Sequence, residues 1–502
     1  MVFLVFSSPT YGVHLILKTW PIFYLKIEAQ NVITQYVIQE RYFMNSNKET
    51  KHIDMLSGSL WKKILIFAVP LVLIGIIEQL FNAADVAVVG RFSGENGKNA
   101  MAAVGATSSI IGLIVYTFIA VSLGTNVVIA HAYGASDSNM IKKCVHTSAL
   151  SSIIIGTLLT IFAEAFAVPI FKTQDIPSDV FDMTIKYFRI YSLGIPLILL
   201  YNFLASIYRG VGNTKTPLIV LIISGVLNLV LNLIFVLGFG LDVEGVALAT
   251  VISNAISALV LFIMLLFNKE DYGIRIKELK ISGKALIMIL QIGIPAGIQS
   301  AVFCIANIII QTKINSLGNT IMAASSAAYN VEAIVSYVFA GFSQAATTFV
   351  GQNYGAGDIK RCKATLSVSL IEGVIALGIT DLLIFAFGRP IIGLFNSDSD
   401  VIYYGYIRLL YICSSFMFTL IYEVIAGYLR GFGISFMPSI LTTIGICGVR
   451  IVWIYTMFTR HKTFKVILMA YPISLFITAL LLFILLLIKH PAKRHENENC
   501  EL

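Results

Sequence analysis

Two carboxylates, Glu78 and Asp85, lie inside a stretch that otherwise reads as hydrocarbon, Ile64 to Gly90 (ILIFAVPLVLIGIIEQLFNAADVAVVG). About 20 apolar residues at 1.5 Å each cross a bilayer core, so the stretch is long enough to span one. A separation of seven positions is about two helical turns, which puts both acids near one face. An acid at mid-membrane depth costs about 2.5–3.5 kcal/mol on insertion scales. A carboxylate kept there faces a cavity, pairs with a buried base or sits at the interface; in the first case it can take up and release a cation. Three further charges fall inside apolar runs: Glu332, Glu423 and Arg450. Arg450 is charged at any relevant pH. Either it pairs with Glu423 or Glu332 and ties its surroundings together, or one of the two acids stays free to attract a cationic substrate.

The elements that position these residues are spanning helices. Hydrophobic residues are 57% and charged residues 12% of the 502, with a mean hydropathy of +0.86, values foreign to a soluble protein. The apolar segments predict about twelve spans, at 62–88, 101–129, 141–166, 181–206, 216–239, 245–268, 284–312, 320–349, 361–386, 401–427, 436–458 and 465–488. The net charge of +8 collects in alternate short loops, not in a nucleic-acid patch. Its bias puts both termini in the cytoplasm of a multi-pass cell-membrane protein, in contact with lipid and without nucleic acid as a partner. The six cysteines show no CxxC spacing and the seven histidines no ligand cluster, so neither a disulfide frame nor a His/Cys metal site is expected. There is no GxxxxGK[ST] loop and no HExxH. No catalytic residue is expected, and the chain does not read as an enzyme.

The chain contains itself twice. AHAYGASD at 130–137 matches GQNYGAGD at 351–358, a shift of 221 residues. At the same shift Arg209-Gly210-x-Gly212 meets Arg430-Gly431-x-Gly433, Pro169 meets Pro390 and Pro217 meets Pro438. Six spans per unit is an even number, so both units enter the membrane in the same direction, as in a parallel repeat. The organisation expected is a lead-in at 1–61, a first lobe at 62–268, a basic cytoplasmic linker at 269–283 that reads as an amphipathic surface helix, a second lobe at 284–488 and a cytoplasmic tail at 489–502. Met44 opens the polar run before the first span and is read as an alternative start. The glycines of the YGAxD strings are read as turn residues, and Arg209 and Arg430 as loop cations.

With these features in place, the chain resembles the multidrug and toxic compound extrusion (MATE) transporters. The likeness is carried by Pro70 with Asp85 fifteen positions on, Tyr133-Gly134-Ala135, the string at 351–358, Tyr208-Arg209-Gly210-Val211-Gly212, Asn228, Glu244-Gly245-Val246-Ala247 and Ala249-Thr250. It runs from about Ile53 to Lys489. The resemblance implies an all-α membrane protein with twelve transmembrane helices in two six-helix lobes related by a parallel internal repeat. It implies antiport: export of organic, cationic or amphipathic drugs or metabolites against Na⁺ or H⁺, by alternating access, with no other cofactor and as a monomer. By resemblance Asp85 is the coupling acid, Asn228 and Thr250 lie beside it, and these three are the metal ligands if the ion is Na⁺. Asn232 stands where the family carries a second acid; an amide offers an oxygen but holds no proton. Glu78 is then expected to assist Asp85. Phe303 occupies the place of the NorM-type glutamate, which makes the DinF-like branch the nearer match. The alternative within the wider superfamily is a flippase for a lipid-linked saccharide.

Overall fold

The computed structural model describes residues 52–94, 97–174, 176–489 and 491. The expected start at Met44, most of the lead-in and nearly all of the tail lie outside them. Long apolar runs become helices because only a helix satisfies every backbone donor and acceptor within one segment in lipid. The helices are α1 (Leu60–Phe92), α2 (Gly97–Gly134), α3 (Ser138–Lys172), α4 (Ser178–Leu193), α5 (Ile195–Gly210), α6 (Lys215–Leu233) and α7 (Val243–Phe267). They continue as α8 (Gly283–Asn315), α9 (Asn319–Gly355), α10 (Ile359–Gly393), α11 (Ser399–Gly431), α12 (Phe436–Phe458) and α13 (Phe464–Lys489). Among the described residues eleven helices are long and apolar enough to cross a membrane, and the bent pair α4–α5 makes a twelfth.

Two local departures from the expected spans have clear causes. The segment expected as one span at 181–206 bends by 44° between α4 and α5. Pro196 has no N–H to give the Ser192 carbonyl four residues back, and the Thr160 hydroxyl donates to that carbonyl instead, at 2.7 Å. The linker is not an amphipathic helix; only Ile276–Glu278 forms a short 3₁₀ turn. Side chains of α3 take its backbone donors: Arg275 N–H donates to His146 Nε2 at 2.9 Å and Ser282 N–H to the Thr147 hydroxyl at 3.0 Å.

The repeated motifs turn out to seal the end of the bundle that carries the basic connections. In each YGAxD string the aspartate is a helix N-cap: Asp137 accepts from Met140 N–H at 3.0 Å and Asp358 from Arg361 N–H at 2.9 Å. The glycines are not the turn residues expected. Positive φ falls two positions later, at Ser136 and Gly357. Gly134 and Gly355 instead let α2 and α9 touch, since a Cβ on Gly134 would sit 1.9 Å from the Gln352 carbonyl oxygen and one on Gly355 2.2 Å from that of His131. Those two residues are themselves repeat-related, and they cross the same boundary. His131 Nε2 donates to the Gly431 carbonyl at 2.6 Å, and Gln352 Nε2 to the Gly210 carbonyl at 2.8 Å. The lead-in adds to the closure, with Arg361 donating to the carbonyls of Met55, Ser57 and Gly58 while Ile53 N–H donates to the Gly212 carbonyl. Further along, α8 lies on α2 with Gly124 against Ile289 and Gly293 against Val121, the close backbone approach that small residues permit in membranes.

This closure has a measurable consequence. Gly134→Val forces a branched side chain into backbone, an overpacking that typically costs about 1–3 kcal/mol. Its thermal midpoint in detergent should fall, while Gly105→Val, where a Cβ meets nothing within 4 Å, leaves the midpoint unchanged. Equal midpoints for the two variants would contradict the close contact.

Candidate functional site

Asp85 sits in the last two turns of α1, 8% exposed, where α1 packs on α6 and α7. Asn228 and Asn232 are four apart on α6, so they share a face, and Thr250 is brought opposite by α7. Asn232 Nδ2 donates to Asp85 Oδ1 at 2.5 Å and to Asn228 Oδ1 at 3.2 Å. The Thr250 hydroxyl donates to Asp85 Oδ2 at 3.2 Å and, at 2.9 Å, to the Val246 carbonyl; Asn228 Nδ2 donates to Thr250 Oγ1 at 3.4 Å. One carboxylate is therefore surrounded by neutral oxygens and amides. Oδ1 of Asn232 is sealed from solvent and has no partner, which leaves an unused acceptor beside the acid. A π-helical turn, Ile234–Gly238, follows directly on α6; such turns are rare and gather at functional sites. The oxygens of Asp85, Asn228, Asn232 and Thr250 suit a hard cation such as Na⁺, and Asp85 by itself suits a proton. Among the described residues no group of three or more His, Cys, Asp or Glu side chains forms a metal cluster, in keeping with a donor set built on a single acid.

Glu78 does not join this cluster. It lies two turns earlier on α1, half-buried, and no hydrogen bond connects it to Asp85, Asn228, Asn232 or Thr250. Its stretch of α1 faces α9: Tyr337 packs on Gly75, and Gln79 Nε2 donates to Asn330 Oδ1 at 3.4 Å. The nearest opposing charge acting on Glu78 is that of Arg209, beyond ion-pair distance.

The second-half charges pair differently from the expectation for Arg450. Glu332 on α9 is held by Arg408 of α11 through two bonds, Nε to Oε1 at 2.7 Å and Nη2 to Oε2 at 2.9 Å. Glu423 is met by Arg430, seven residues on along α11, at 3.3 Å. Arg450 reaches neither acid. It projects from α12 toward α13, its Nε donating to the Ser474 hydroxyl at 3.0 Å and its guanidinium lying 4.2 Å from the Tyr471 ring centroid. The acids are on α9 and α11 and both are met by arginines of α11, while α12 turns Arg450 away from them.

Three charged residues escaped the sequence reading, Arg408, Glu372 and Asp381, and two more were misplaced by it, Arg209 and Arg430. Arg408 lies within the predicted span 401–427, and the rule that singled out Arg450 would have found it. Arg209 and Arg430 are not loop cations; each ends a helix and turns its guanidinium back into the bundle, Arg209 toward Gln344 Oε1 at 3.4 Å and Arg430 toward Ser343 and Glu423. On α10, Glu372 and Asp381 are buried, and each keeps one oxygen without a partner. Both lie in the apolar run 361–386, and a scan for acids inside spans would have found them.

Comparison with known proteins bears on these assignments. The MatE family profile matches two blocks of the chain, residues 70–234 and 295–456. A probable multidrug resistance protein of Bacillus subtilis (strain 168), YoeA, is 27% identical over 435 residues, covering 85% of this chain and 93% of its own length. The probable multidrug resistance protein NorM of Thermotoga maritima is 26% identical over 404 residues, covering 78% and 84%. A solved structure described as the outward-facing conformation of a multidrug resistance MATE family transporter of the MOP superfamily superposes with a TM-score of 0.81 at 21% identity, over 90% of this chain and all of that one. At that identity the likeness is one of fold: an all-α bundle of eleven to twelve spanning helices.

Proposed function

We propose, from the premise that this chain belongs to the MatE family, a family of secondary active multidrug-efflux transporters, that it exports organic cationic or amphipathic compounds from the cytoplasm in exchange for Na⁺ or H⁺. The observation that carries the reading is Asp85, a nearly sealed carboxylate whose partners are all neutral, Asn232 and Thr250. A neutral partner set leaves the acid free to take up a cation and lose it again, whereas an arginine there would hold it permanently. The basic end, closed by the latch of His131, Gln352 and Arg361, is taken as cytoplasmic. The lobes 62–268 and 284–488 then open and close about the α2–α8 and α1–α9 contacts as one monomer, with 269–283 as the connection. Ion and substrate prefer opposite states, so loading Asp85 expels substrate outward and its unloading inward admits the next. Pro70, which leaves the Ile66 carbonyl without its helical donor, gives α1 a place to bend. Support for the DinF-like branch comes from Phe303, which stands where the NorM-type branch carries a glutamate.

The test is efflux from reconstituted vesicles with the Na⁺ and pH gradients imposed one at a time. One gradient is expected to drive a fluorescent cationic substrate uphill and the other to leave it at equilibrium. Export that persists with both gradients collapsed would overturn the antiport reading.

A further inference from the structure

Among the described residues Arg450 is a cation with no ion-pair partner. It is 3% exposed, and among the described residues no carboxylate oxygen comes within 4.0 Å of it; Glu332 is taken by Arg408 and Glu423 by Arg430. Its Nε is oriented by the Ser474 hydroxyl, and its plane is framed by the rings of Tyr471 at 4.2 Å and Phe303 at 5.9 Å. The two terminal nitrogens make no hydrogen bond. They are also not sealed: Nη1 of Arg408 is buried without a partner, and the Arg450 nitrogens are not among such atoms. On the same Tyr471 ring Arg408 approaches to 5.9 Å, so two guanidiniums share this ring, and the bidentate bonds of Glu332 go to Arg408. Asp381 on α10 is buried and acts on Cys413 as Glu332 and Arg408 do, but among the described residues it forms no ion pair with either arginine.

The backbone around Arg450 is unusual as well. It sits in a five-residue α-helical piece, Val449–Trp453, flanked by π-helical turns at Thr443–Gly448 and Ile454–Phe458. Such turns persist where a widened helix serves a site. Phe303 is itself 38% exposed, and its neighbour Cys304 acts on Tyr116 together with Tyr329, 56% exposed, and Glu78. Burial of an uncompensated guanidinium is costly, and stacking on an aromatic face returns only part of that cost. A planar fork with two free N–H edges is the geometry that takes a carboxylate.

We propose that Arg450, held by Ser474, Tyr471 and Phe303, is a subsite for the carboxylate of an amphipathic aromatic compound. This rests on the export reading, for which it names a substrate class: molecules with an aromatic body, to lie on the Tyr471 and Phe303 rings, and an acid group for the guanidinium.

The experiment is titration of the purified full chain in detergent with norfloxacin and with its methyl ester, binding being read by quinolone fluorescence polarisation. The free acid is expected to bind about tenfold more tightly than the ester, as befits a charge-assisted pair. Arg450→Gln should erase that preference by weakening the acid alone, and Arg450→Lys should keep part of it. If Arg450→Gln does not yield folded protein, Ser474→Ala, which frees Nε, should reduce the preference severalfold. Acid and ester bound equally, neither bound, or a preference that survives Arg450→Gln would each overturn the subsite. Loss of the preference on adding phosphatidylglycerol would assign the fork to a lipid headgroup and overturn it too. An Arg450-dependent preference in a protein that moves norfloxacin under neither ion gradient would leave the subsite standing and overturn the export reading.

Discussion

Replacement of Asp85 by asparagine is expected to lower ion-driven export about tenfold to a hundredfold, the range of a typical coupling free energy between two sites. The substitution preserves size and still offers an oxygen to Thr250, but it can neither hold a proton nor neutralise a cation. The other members of the cluster cannot substitute, because Asn228, Asn232 and Thr250 are neutral and Glu78 lies outside it. An ion that no longer binds one state better than the other cannot shift the equilibrium between them, however steep its gradient. Downhill exchange of substrate should survive, since no other side chain is changed, and the thermal midpoint should hold because no buried counter-charge is orphaned. Uphill export at the wild-type rate in the Asp85→Asn variant would remove Asp85 from the mechanism.

The second large effect concerns stability. Glu332 and Arg408 form a bidentate pair whose side chains are 7% and 3% exposed. Glu332→Gln leaves the guanidinium in low dielectric with its counter-charge gone and with Nη1 already lacking a partner. Breaking a buried pair from one side typically costs about 3–5 kcal/mol, whereas replacing both partners by apolar residues is often neutral. The single variant should therefore show a much lower thermal midpoint and reduced monodispersity in detergent, and Glu332→Met with Arg408→Met should recover most of the loss. Glu423→Gln serves as the comparison: that pair is more exposed and rests on one contact at 3.3 Å, so a smaller fall is expected. A double variant no better than the single would mean that the pair contributes geometry that apolar packing cannot replace.

Both predictions concern charges in spans, and the two were not equally readable. Asp85 and its surroundings could be anticipated because the partners are set by strong local rules: a helix period that aligns Asn228 with Asn232, and a family pattern that adds Thr250. The pairing of Glu332 could not. Arg408 and Arg450 are both arginines inside apolar runs, and which of them meets the acid depends on the rotation of α11 and α12 about their own axes. Membrane helices carry that information weakly, since a lipid-facing leucine and a buried one read alike. The motif glycines show the same limit. Their positions announced a special backbone demand, yet a turn and a close helix contact both call for glycine, and only the approach of the Gln352 and His131 carbonyls to Gly134 and Gly355 separates the two.

What the sequence determined by itself is the set of spans, the internal repeat at a shift of 221 residues and the presence of acids too costly to keep in a membrane without use, because apolar length, duplication and charge are properties of the chain that no packing alters. What only the tertiary structure decided is who faces whom. His131 and Gln352 close one end, Glu78 stands apart from Asp85, and Arg450 meets no carboxylate among the described residues because α12 turns toward α13. These follow from helix rotation and neighbour choice, which are settled by side-chain packing summed over the whole bundle and are written in no single stretch of the chain.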